Sequence, residues 1–157
     1  MWLGELITKI GQTKPLEKAI RIQMLHEYVA KGKDHENVLK SYVECMYHPH
    51  VVFDLPEGAP PYKQNKVPDY DQAGFSLFNF FHQRYPLYFV KGTSAYIQNN
   101  IKREQLFVRS LEGLFPVEAD LLIAMKDKSD KKLKNFNEEL IREAFPNWLP
   151  PKQTPAV

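Results

Sequence analysis

Twelve prolines divide this chain of 157 residues, and the apolar periodicity runs between them, not through them. A proline inside a helix removes a backbone donor and clashes with the preceding turn, so each one marks where a helix starts or stops. Glycines number only seven, too few for a chain of glycine-rich hairpins. Between the prolines, apolar residues recur every three or four positions, the signature of helices with one buried face. These two patterns together predict an all-α fold: a compact bundle of six to eight helices.

The first helix is predicted from Trp2, Leu3, Leu6, Ile7 and Ile10, closed by Gly11. A second follows Thr13 with Pro15 in its first turn. Its stripe is read as Leu16, Ala19, Ile20 and Met24, with Leu25 and Val29 beside it, and Glu17 is placed to pair with Arg21. Gly32 stops it. A third, from about Glu36 to Tyr47, faces Val38, Leu39, Tyr42, Val43 and Met46 inward. Then five prolines fall between His48 and Gln72, and the heart of that stretch, FDLPEGAPPYKQN, cannot be helical. Its aromatic and apolar residues predict an ordered loop laid on the core, and a loop this long is usually functional or disordered. FSLFNFFHQRY predicts a short buried helix ended by Pro86. Its aromatics fall at helical spacing, which reads as core and not as a base-stacking platform. LYFVKG is either a brief extended piece or a turn. A long helix then runs from about Ile97 or Ile101 to Phe115 with Leu106, Phe107, Ser110, Leu111 and Leu114 inward, and Pro116 opens another with Leu121, Leu122 and Met125 inward. Asn135 is expected to cap a last helix with Glu138 as reciprocal partner, ending at Pro146. The length suits one domain, read as residues 1–150 with a flexible tail at 151–157.

The formal charge of +2 gives little global pull on a polyanion, so any such binding must rest on a local patch. One cysteine, Cys45, leaves no intrachain disulfide and suits a reducing compartment. The N-terminus lacks the basic-then-apolar form of a signal peptide, and no apolar run is long enough to span a membrane.

Cys45, His48 and His50, with Asp54 near, have soft-ligand spacing, but a closed zinc site needs four ligands and no second pair follows. Neighbouring carboxylates such as Glu138 and Glu139 diverge on a helix and suit its N-terminal dipole instead. No glycine-rich phosphate loop, nucleophile elbow or metalloprotease motif is present, so no enzyme and no cofactor are expected. The basic stretch KDKSDKKLK, residues 126–134, reads either as a solvated loop or as a phosphate grip through Lys126, Lys128, Lys131, Lys132 and Lys134. Lys63 and Lys66, and after them Lys102 and Arg103, are candidates for further contacts on duplex DNA. A different reading takes Pro60, Pro61 and Tyr62 as a rigid extended element that docks on a protein partner.

Three motifs carry a resemblance: the loop LPEGAPPY, the helix pair REQLFVRSLEGLFPVEADLLIAMKDK, and the closing ELIREAFPNWLP. In that order, over about residues 1 to 150, the chain resembles a family of small proteins of unknown role from T-even-type tailed bacteriophages. Its plan is more faintly similar to the N-terminal helical DNA-binding domain of phage ATP-dependent DNA ligases. Those domains close on a comparable segment, here Phe145-Pro146-Asn147-Trp148-Leu149-Pro150, with Asn147 where they carry glycine. Their nucleotidyl-transfer lysine lies in the following domain, so the resemblance implies no ligase activity. It implies a DNA-binding accessory protein in the cytoplasm of an infected bacterium, or in the virion. The partner is then duplex DNA, or else the phage sliding clamp, a host protein or a virion component. From the residues themselves, AFPNWLPP is expected to fold Trp148 and Leu149 back over the core, with Asn147 making the turn.

Overall fold

The computed structural model describes residues 2–64 and 76–151. Among them the fold is all-α, with seven α-helices: α1 (Leu3–Gly11), α2 (Lys18–Ala30), α3 (Lys33–Tyr47), α4 (Leu77–His82), α5 (Asn100–Glu112), α6 (Pro116–Lys126) and α7 (Glu138–Ala144). No helix among the described residues is long and apolar enough to cross a membrane. The expected tail beyond Pro151 lies outside the described residues.

α3 and α6 are the centre. α3 packs on α2, α4 and α6, while α6 also meets α1 and α5, and α7 closes over α2. Tyr42 ties the two central helices together: it is fully buried and its hydroxyl donates to the carbonyl of Leu121 at 2.8 Å. The apolar residues the periodicity turns inward in α3 and α6 are buried, with Leu39, Val43, Leu122 and Met125 fully so, and Glu118 and Lys126 of α6 are buried with them.

α2 departs from its expected phase. Leu16 is 98% exposed and Ile20 is also exposed, while Arg21, Leu25 and Tyr28 face inward. The helix begins at Lys18, three residues after Pro15. The reason is Arg21. Its guanidinium donates to the Thr13 hydroxyl and to the carbonyls of Lys14 and Pro15, satisfying the turn before the helix. Glu17 accepts from the Lys14 N–H instead of pairing with Arg21. Gly32 breaks the link to α3 at φ +148°, a conformation a side chain would resist.

Asn137, not Asn135, caps α7 by accepting from the Leu140 N–H. Asn135 instead stands at φ +64°, and its side-chain amide donates to the carbonyls of Ile10, Gly11 and Thr13. It therefore finishes α1, whose last carbonyls have no helical partner. The terminal closure forms as expected. Phe145 and Trp148 stack with centroids 3.8 Å apart and planes 5° apart, and Leu149 is buried. Asn147 is not among the residues with positive φ, so the turn needs no left-handed residue there.

A strapped loop and its groove

The proline-rich loop is held by side chains from α5 and α6. At its start Phe53 forms an isolated antiparallel bridge with Val90, and the Asp54 N–H donates to the Phe89 carbonyl at 2.8 Å. The Phe53 and Phe89 rings lie in the core beneath it.

Arg103 projects from α5 into the interior and is 4% exposed. Its guanidinium donates to the carbonyls of Asp54 at 2.6 Å and Ile97 at 2.8 Å, and to the Asn100 side chain at 2.6 Å. It also pairs with the Asp54 carboxylate at 3.4 Å and lies 5.1 Å from the centre of the Tyr96 ring. The Tyr96 hydroxyl donates to the same carboxylate, and that bond, followed by the Arg103 charge, holds Asp54 below the usual carboxylate range.

Lys126, on the last turn of α6, is the second internal cation; its side chain is 1% exposed. Its ammonium donates to Pro56 O at 2.7 Å, Gly58 O at 2.6 Å and Asp127 Oδ1 at 2.5 Å. Asp127 in turn accepts the Gly58 N–H at 3.2 Å. An ammonium has three donors, and here all three are used. Farther on, Glu112 accepts the Lys63 N–H at 3.0 Å, and Tyr62 packs against the core.

Burying a cation costs several kcal/mol unless hydrogen bonds replace its water. Here two are buried: Lys126 gives two donors to the carbonyls of Pro56 and Gly58, and Arg103 gives one to the carbonyl of Asp54 and others to Ile97 and Asn100. They fix a strap that stands off from α5 and leaves a groove of about 610 Å³. One side of the groove is the strap from Leu55 to Pro61. The other is the outer face of α5, where Ile101, Glu104, Gln105, Val108 and Glu112 fall at helical spacing, with Arg109 beside them. Phe107 lies at the base, 2% exposed, and Ile101 is 67% exposed.

This geometry corrects the charge reading of the sequence. Lys126 and Arg103 do not face solvent; their donors are taken up inside the fold. Lys128 stands at φ +51° and its ammonium donates to the carbonyl of His48, the residue that follows α3. Burial lowers its pKa. Lys131, Lys132 and Lys134 are exposed, with the Lys134 Cβ beside Gly11 at the end of α1. The acids of the same link turn inward, Asp127 to Lys126 and Asp130 to the Tyr47 hydroxyl at 2.9 Å. Lys63 and Lys102 are exposed near opposite ends of α5, and Lys66 lies outside the described residues. Pro60 and Pro61 form part of the groove wall, with Pro61 exposed.

Cys45 is buried and its thiol is pushed up to about 12 by burial, so it offers no thiolate beside His48 and His50. The His50 N–H donates to His48 Nδ1 at 3.1 Å. No group of three metal-ligating side chains occurs among the described residues.

A family model described as a family of unknown function, DUF6433, matches residues 7–135, well over half of the chain. No curated protein and no solved structure matches.

Proposed function

The chain belongs to the DUF6433 family of unknown function, and from its own geometry we propose that it is a non-enzymatic protein-interaction module docking a partner in the groove between the strap and α5. The observation that carries this reading is the double internal anchorage. Arg103 and Lys126 give up their hydration to fix a strap with little core of its own, and a strap held that way keeps a cleft preformed. A preformed cleft lowers the ordering cost of binding. Pro60 and Pro61 stiffen the wall, and Tyr62 seats its far end. Following the phage resemblance, the partner is the phage sliding clamp, a host protein or a virion component, met in the cytoplasm of the infected cell or in the particle. Affinity capture from infected cells, with nuclease and high salt in the wash, tests it. One protein partner should be retained by the native chain and lost with Ile101→Asp and Val108→Asp. Retention by both variants would refute the groove's role.

A second reading, binding to duplex DNA, draws support from the outward Lys131, Lys132 and Lys134 beside inward-turned Asp127 and Asp130. Replacing Lys131 and Lys132 with Ala should then flatten the log–log salt dependence by about two units. A gel-shift titration without retention at low salt would remove this reading.

A further inference from the structure

We infer that the groove takes an extended peptide segment of a partner protein that is both basic and apolar, with Lys or Arg next to aliphatic side chains. This rests on the docking reading above and specifies the chemistry of the occupant.

Charge is the first argument. Glu57, Glu104 and Glu112 line the groove against one base, Arg109, which leaves a net charge of −2. Glu57 and Glu104 are exposed, so a ligand would meet their carboxylates directly. A phosphate backbone would be repelled here, while ammonium or guanidinium groups would be attracted.

Hydrogen-bonding capacity points the same way. Pro56, Pro60 and Pro61 have no N–H, and the N–H of Gly58 is already given to Asp127. The strap wall is therefore poor in donors, and on the opposite wall Glu104 and Glu112 only accept, against donors from Gln105 and Arg109. The acceptors outnumber the donors, so an occupant that brings donors is favoured, and basic side chains carry the most. Its apolar part has somewhere to go as well: exposed Ile101, half-buried Val108 and Leu55, and the Phe107 ring below.

Length sets the form. Eleven residue steps from Ile101 to Glu112 span about 16 Å along the helix axis. An extended chain at about 3.3 Å per residue fills that distance with roughly five residues.

The test is selection of random heptapeptides displayed on phage against the full chain, followed by fluorescence anisotropy of the synthetic winners. Winners should be enriched in Arg or Lys adjacent to Leu, Ile, Val or Phe. They should weaken as salt rises, and lose about tenfold in affinity to the double variant Glu57→Lys, Glu104→Lys. Both replaced side chains are exposed, and circular dichroism checks that the variant stays folded. Acidic or uncharged winners that are lost with Val108→Asp would overturn the chemistry assigned here and leave the docking reading standing. No enriched sequence, or winners that bind every groove variant equally, would overturn both. A peptide-free chain that doubles in mass on sizing, in a manner abolished by Val108→Asp, would give the groove to a second copy and also overturn the inference.

Discussion

Replacing Lys126 with Met separates an internal clamp from a surface contact. Methionine keeps an unbranched apolar side chain and removes the ammonium, which lies 5.9 Å from the centre of the Phe107 ring. Three bonds disappear: to Pro56 O, Gly58 O and Asp127 Oδ1. Breaking a buried ion pair on one side costs about 3–5 kcal/mol, because the remaining charge is stranded. Here Asp127 keeps the Gly58 N–H, and Pro56 and Gly58 belong to exposed residues that water can reach. The low end, about 3 kcal/mol, is therefore expected. Much of the loss should be local, seen as faster amide hydrogen exchange in a peptide covering residues 53–64. Urea unfolding gives the global part. Lys126→Arg should not restore the native value, since a planar fork does not replace a compact ammonium among three convergent acceptors. If Lys126→Met changed stability by less than about 0.5 kcal/mol and left exchange in the strap unaltered, the clamp would be wrong. Loss of DNA retention at full stability would make Lys126 a phosphate contact after all.

Glu118 supplies a pH test. It is buried, accepts from the Gly4 N–H at 3.0 Å, and has one oxygen with no hydrogen-bond partner among the described residues. Burial pushes its pKa from 4.5 to about 7, against the opposing pull of the Leu77 and Gly4 N–H groups. A raised folded pKa means stability that is full below about 4.5 and is lost as pH rises to about 7. The loss is roughly 3 kcal/mol, and urea unfolding of Glu118→Gln across that window should show a shallower slope than the native chain; equal slopes would refute it. At Asn135, glycine keeps the positive φ but loses the amide bonds, while alanine loses both. Asn135→Ala should be less stable than Asn135→Gly by about 1 kcal/mol in thermal unfolding, and the reverse order would deny any backbone strain there. Arg103→Lys should destabilise by about 2 kcal/mol in the same assay, because one ammonium cannot span the carbonyls of Asp54 and Ile97 and the Asn100 side chain.

Where apolar residues alone decide a helix's inward face, its spacing in the sequence is enough. α3 illustrates this: Val38, Leu39, Tyr42, Val43 and Met46 are all buried. α2 was illegible because the residue that sets its phase is Arg21, whose burial depends on carbonyls in the preceding turn. The same holds for the groove. A lysine reads alike in sequence whether its ammonium meets water or a carbonyl nearly seventy positions away. Phase carried the available signal. Arg103 lies four and eight residues before the buried Phe107 and Leu111, and Lys126 four residues after the buried Leu122. Both are on the inward stripes of their helices, a position that argues for an internal partner before any external one. The partners themselves, the carbonyls of the strap, leave no trace in side-chain identity.

α1 is fastened by residues that lie more than a hundred positions after it. Glu118 accepts from the N-terminal turn of α1 across 114 positions, and Asn135 donates to the Ile10 carbonyl near its end across 125. Nine residues are too few to hold a helix alone in water. During translation this segment would thus leave the ribosome with neither fastening available. Its docking must wait for Glu118 and Asn135, and closing so long a loop is slow.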